Sequence, residues 1–254
     1  MLENIKKLLK AHKPSLPSIE ELTEKEKLEL EKLGISFNGL FHEIEPEVVE
    51  IAQLYSEFYN RRYEEYGKQL MIENPETFKK AVEEGRWNSD GTVSEKRKRQ
   101  NFRMGLTHKA FEIALQQIQI PYVPNDPTID WRPEAKIRKK TKVRYDFYIP
   151  LLGSIDIKSA TFENPVVNIN CEDFNQENPD FVVAYQILDE LKPKWLWLSG
   201  FLANLEIKEN YEPKRKWEPS RAYWKIPIED FKKHDGFELC EKVLAVKMAL
   251  KELE

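Results

Sequence analysis

Tyr145 to Ala160 reads Tyr-Asp-Phe-Tyr-Ile-Pro-Leu-Leu-Gly-Ser-Ile-Asp-Ile-Lys-Ser-Ala, and few local structures accommodate that order. An aromatic and β-branched run, a turn over Pro150 to Gly153 and a second run from Ser154 to Ser159 predict a β-hairpin. Side chains alternate across a strand, so Asp156 and Lys158 share one face while Ile155 and Ile157 take the other. Asp146 falls on the adjacent strand. The hairpin therefore carries an apolar face and a face bearing Asp146, Asp156 and Lys158. Burying an ionised group without a partner costs several kcal/mol, so these charges are expected to hold something. Paired carboxylates with carbonyl oxygens suit a hard divalent ion, Mg²⁺ or Mn²⁺.

The order Asp146, nine intervening residues, then Asp156-Ile157-Lys158 resembles the signature of the PD-(D/E)xK nuclease superfamily in its Asp-x-Lys form. That family sets its motif on two strands of a hairpin behind a helix that often donates a Glu. Upstream, Thr107-His-Lys-Ala-Phe-Glu112-Ile-Ala-Leu has helical spacing and contains Glu112. Tyr145 stands where the family name has Pro, a position at which the family varies. The resemblance covers roughly residues 105 to 200 and implies an α/β fold, a restriction-endonuclease-like mixed central β-sheet flanked by helices. It further implies a metal-dependent DNA endonuclease. Asp146, Asp156 and the Ile157 carbonyl would hold Mg²⁺ or Mn²⁺, Glu112 would join through water or a second ion, and Lys158 would orient or deprotonate the nucleophile. Taken without the resemblance, Glu112 is equally an ordinary helix carboxylate, and Asp156 with Lys158 an exposed ion pair. His108, one turn before Glu112, either points to the same site or is a surface or capping group.

Charge distribution bears on the substrate. From Ser94 to Arg144 there are thirteen Lys and Arg against five Asp and Glu, a net +8 that leaves −12 for the rest of a chain of net −4. Basic residues gathered just upstream of the hairpin suit a phosphodiester backbone, whose condensed counterions they displace without reading sequence. Lys96, Arg97, Arg99, Arg138, Lys139 and Lys140 are the expected DNA contacts. A solvated basic helix and a Lys-rich loop would have the same composition.

The remainder of the chain supplies context. Residues 1–93 are expected as a helical N-terminal lobe and 94–254 as the nuclease-like domain. Short helices are predicted from Leu2 to Ala11 and from Ser18 to Gly34, and a long one from Glu45 to Leu70, whose Val48, Ala52, Tyr55, Tyr59, Tyr63 and Tyr66 recur at helical spacing. Ser94 opens a basic helix that Gly105 and Thr107 are expected to interrupt. Ile120 to Val123 reads as a short strand and Pro124 to Lys142 as a basic loop. Thr161 to Asn178 reads as irregular or weakly helical, and Pro179 to Ile187 and Lys194 to Leu202 as buried, parallel strands. Tyr223 to Ile228 reads as an edge strand, and Phe237 to Leu253 as a closing helix. Cys171 and Cys240 are the only cysteines, too few for a disulfide framework or an iron-sulphur cluster, which fits an intracellular, cytoplasmic protein. No membrane partner is expected, and a homodimer stays open. Three rival functions remain: a catalytically silent DNA-binding module, an exonuclease or junction-processing nuclease, and a scaffold built on the aromatic helix.

Overall fold

The computed structural model describes residues 40–44, 46–117, 119–124, 145–171, 179–187, 193, 195–215, 222–234 and 236–252. The central layer is a six-stranded mixed sheet. Its strands are β1 (Leu40–Glu43), β2 (Val123–Pro124), β3 (Phe147–Ile149), β4 (Gly153–Thr161), β6 (Phe181–Ile187) and β7 (Trp195–Ala203), in the spatial order β1-β7-β6-β4-β3-β2. Two further strands, β5 (Val166–Asn170) and β8 (Tyr223–Pro227), pair antiparallel as a separate small sheet. Helices α1 (Pro46–Glu73), α2 (Pro75–Glu83), α3 (Glu95–Gln117), α4 (Asn204–Asn210), α5 (Ile228–Phe231) and α6 (Gly236–Glu252) complete the described chain. No helix among the described residues is long and apolar enough to cross a membrane.

Alternation of side chains divides the core in two. Ile155 and Ile157 of β4 face Val48 and Ala52 of α1 and Leu106, Ala110 and Phe111 of α3, with Leu239 and Val243 of α6 joining the same cluster. On the opposite face Ala160, Val182, Ala184 and Leu202 pack under Val167, Ile169, Trp224 and Ile226 of the small sheet and Phe231 of α5. The molecule is thus layered as helices, sheet, then small sheet with short helices.

The hairpin forms as expected, with Phe147 opposite Ile155 and Ile149 opposite Gly153. Gly153 sits at φ +117°, so close to Asp180 that a side chain would collide with its carboxylate. That carboxylate accepts from the Ser154 backbone N and Oγ, each at 2.7 Å, and clamps the start of β4 to the start of β6. β6 runs parallel to β4 as its apolar sequence suggests, whereas β7 is antiparallel to β6 rather than parallel. The connection between Ile187 and Trp195 is too short for the crossover of a dozen or more residues that a parallel pair needs.

Other expectations are corrected. Residues 166–170, expected to be irregular or weakly helical, form β5, whose buried Val167 and Ile169 alternate with exposed or half-buried neighbours. Its partner β8 is remote in sequence. α3 runs without a break through Gly105 and Thr107. The Thr107 hydroxyl bonds back to the Arg103 and Met104 carbonyls, each at 3.1 Å, instead of capping a new helix. Residues 40–43, inside the stretch expected as a helical lobe, form β1 and extend the central sheet beside β7. α1 shares the core of α3 and the hairpin, so a common core spans the boundary expected at residue 93. The predicted helices over 2–11 and 18–34 lie outside the described residues, as does the basic loop expected over 124–142 apart from Pro124, which ends β2.

Gly105 explains how closely α1 and α3 approach. A Cβ there would lie 3.0 Å from Ala52 Cα, 3.1 Å from Ala52 O and 3.2 Å from Tyr55 Cδ1. Two of these three are backbone atoms, which yield only if a helix shifts. Gly105→Ala is therefore expected to destabilise the protein by about 1–3 kcal/mol, the usual cost of overpacking, despite the better helix propensity of Ala. Urea unfolding checks this, and an unchanged or raised midpoint would show that the helices have room to part.

Candidate active site

Asp146 and the hairpin meet where β3 and β4 separate. The last ladder bond is Asp146 N–H to the Ile155 carbonyl, at 2.7 Å. Beyond it β4 continues to Thr161 while β3 has ended, so the next N–H on that edge, Ile157, faces no strand. Asp146 Oδ2 accepts it at 2.6 Å. A strand residue directs its N–H and C=O to the same edge, so the Ile157 carbonyl also faces Asp146. Asp156 and Lys158, on either side of Ile157, project from one sheet face, with Lys158 Nζ 2.5 Å from Asp156 Oδ1. Tyr148, opposite Ser154 in the ladder and 41% exposed, lies on that face too.

Helix α3 reaches the same point from the other side through Phe147. This ring is buried against Phe111 at 5.2 Å and meets the His108 ring edge-on at 6.2 Å, which draws the preceding Asp146 under α3. His108 Nε2 lies 3.1 Å from Asp146 Oδ2. Nε2 is buried there and makes no hydrogen bond of regular geometry. The other ring nitrogen, Nδ1, lies 3.2 Å from the Tyr55 hydroxyl of α1.

The carboxylates are electrically unlike. Burial pushes Asp146 up, but the His108 ring when protonated, Lys158 and the Ile157 N–H outweigh it and hold Asp146 well below the usual carboxylate range. Burial and the adjacent Asp146 charge push Asp156 up to about 7, against the pull of Lys158. Two carboxylates this close ionise together only when a cation or shared proton compensates.

The sequence-predicted residues separate into two groups. Asp146, Asp156, Ile157 and Lys158 converge. Glu112, one turn beyond His108, is bonded instead to Lys109 Nζ at 2.7 Å and the Tyr122 hydroxyl at 2.9 Å. Among the described residues no three His, Cys, Asp or Glu side chains close into a ready metal cage. His108 occupies the place that the sequence offered to Glu112, and the helical offset between the two was the signal for it. Tyr55 was visible only as part of an aromatic stripe.

Of the expected DNA contacts, Lys96 and Arg99 are exposed at the start of α3. Arg97 packs its guanidinium 4.2 Å above the Tyr63 ring and donates to the Tyr63 hydroxyl at 2.7 Å. From Arg97 to His108 the helix rises roughly 16 Å. Arg138, Lys139 and Lys140 lie outside the described residues. Compared with family models, curated proteins and solved structures, the chain matches none.

Proposed function

We propose that the protein is a metal-dependent deoxyribonuclease with a restriction-endonuclease-like core, cleaving phosphodiester bonds at Asp146, Asp156 and Lys158. The observation that carries this reading is the convergence of both carboxylates, the Ile157 carbonyl and the Lys158 ammonium where the hairpin strands part. The motif on two hairpin strands, with α3 packed behind them, is the arrangement that the resemblance implies.

The donor set fits a divalent ion. Asp156 is pushed up to about 7 by burial and by its neighbour, so it gains from a cation that also satisfies Asp146. His108 Nε2 lies 3.1 Å from Asp146 Oδ2, and a protonated ring there offsets the Asp146 charge. Asp146, Asp156 and the Ile157 carbonyl would hold the ion, with Glu112 held outside that set by Lys109 and Tyr122. Such an ion supplies Lewis acidity, lowering the pKa of a bound water and offsetting charge on the phosphoryl oxygens. Lys158, held beside Asp156, would present its ammonium to the attacking water or to a phosphate oxygen. Asp146 keeps the Ile157 N–H satisfied throughout. Lys96 and Arg99, with the basic loop, hold the DNA backbone.

A catalytically silent DNA-binding module is favoured by one feature: Lys158 already neutralises Asp156, at 2.5 Å. Labelled duplex, single-strand, flap and junction DNAs with Mg²⁺, Mn²⁺ or EDTA separate the two. Cleavage is expected with Mg²⁺ or Mn²⁺ and none in EDTA, while DNA retained without cleavage under every condition would support the silent module. Full activity in chelator would refute the metal-dependent reading.

A further inference from the structure

We propose that Tyr148, with Tyr145 beside it, is a stacking platform for an unpaired nucleobase next to the scissile phosphate, and that the substrate is therefore DNA single-stranded at the point of cleavage. The inference rests on the nuclease reading above and names the substrate class of that site.

In β3 Phe147 and Ile149 are buried in the core shared with α3, while Tyr148 between them is 41% exposed. Tyr148 pairs with Ser154 across the hairpin, which sets it on the face of Asp156 and Lys158, one same-face step of roughly 7 Å before Asp156. On its other side it pairs with Val123 of the edge strand β2, itself 54% exposed. The small sheet covers this face of the central sheet over Ala160, Val182, Ala184 and Leu202 and, among the described residues, takes in none of β2 or β3. An open apolar strip thus borders the catalytic charges on the side away from the small sheet. The Tyr145 ring lies 6.2 Å from the Tyr148 ring and is tilted 49° to it, so the two rings are not stacked on each other.

Strand pairing alone does not call for this strip, since polar or charged side chains suit an exposed sheet edge better. A phenol adds a flat apolar face with a water-tolerant tip, and rings of this kind hold unpaired bases by stacking, whatever the base. In a duplex each base is already stacked on its neighbours, and freeing it costs unstacking energy. Charge around the strip matches a nucleic-acid strand. Lys158 stands on the same face, and the chain that joins Pro124 to Tyr145 carries seven Lys and Arg against three Asp and Glu. Phosphates answer to those cations and the base to the ring.

The test measures anisotropy of labelled DNA with the full chain at low salt, in Ca²⁺ and in EDTA, with the DNA checked intact afterwards. Three probes are compared: a single strand, the same strand as a duplex, and a strand of equal length in which every base is removed. The parent is expected to prefer the single strand. Tyr148→Ala and Tyr148→Leu should weaken that binding about 10-fold and leave the duplex and the abasic strand unchanged, while Tyr148→Phe stays near parental. Tyr148→Leu keeps an apolar side chain on the strand, so loss of the ring is read apart from loss of fold. Leu205→Ala, which removes an apolar side chain 71% exposed on α4, should change none of the three. A parent that prefers the duplex, a Tyr148→Leu protein with parental single-strand affinity, or an equal loss on the abasic strand would overturn the platform and leave the nuclease reading standing. Binding of no DNA in either condition overturns both. A lower sedimentation mass for Tyr148→Ala with unchanged DNA binding would assign the strip to a second copy of the chain and likewise overturn the proposal.

Discussion

Lys158→Ala is expected to lower single-turnover cleavage by about 10²-fold or more, the scale of a positioned proton-transfer group, while leaving Mn²⁺ and DNA affinity near parental. The reason is its position. Lys158 Nζ touches Asp156 at 2.5 Å and is not itself a metal ligand, so its removal takes away a group that acts on the reacting atoms and no donor to the ion. Asp156→Ala should lose metal binding as well as rate. Asp146→Asn should behave in the same way without a large loss of stability, because the amide oxygen can still accept the Ile157 N–H. Asp146→Ala would orphan that N–H and add about 1–3 kcal/mol of destabilisation. The double variant at Asp146 and Asp156 should be little worse than either single, since the two serve one ion. If Asp156 and Lys158 were only an ion pair, each change would cost at most ~1 kcal/mol and no activity. A Lys158→Ala protein that cleaves at the parental rate would remove the mechanism.

The second large effect concerns stability in EDTA. Asp156 binds its proton more tightly in the folded protein, about 7 against 3.8, because burial and the Asp146 charge outweigh Lys158. Between those values the folded state holds more protons than the unfolded chain, so stability must fall as pH rises through that window. The slope is at most ~1.4 kcal/mol per pH unit, the value for one proton. Asp146 works in the opposite sense: its lowered value contributes stability that is present above the unfolded carboxylate range and lost only below it, outside this window. Urea midpoints measured across the window in EDTA should therefore decline for the parent and much less for Asp156→Asn. Parallel pH profiles for the two proteins would show that Asp156 is not the group responsible.

Much of the site could be read from residues 145–160. A period of two places Asp156 and Lys158 together whatever else the chain does, and the turn residues Pro150 and Gly153 bring Asp146 onto the neighbouring strand. The same local rules located α1, α3, β6 and α6, where apolar spacing is strong. They failed where a partner is distant. β5 needed β8, more than fifty residues on, to become a strand, and the direction of β7 depended on a connection too short to cross over. Helical spacing placed His108 and Glu112 on one turn of α3 but could not choose between them. That choice belongs to tertiary structure: burial of Phe147 beneath α3 brings Asp146 to His108, while Lys109 and Tyr122 hold Glu112 aside. Tyr55 joins the site only because Gly105 lets α1 approach α3 closely, a contact between residues some fifty positions apart that local periodicity does not encode.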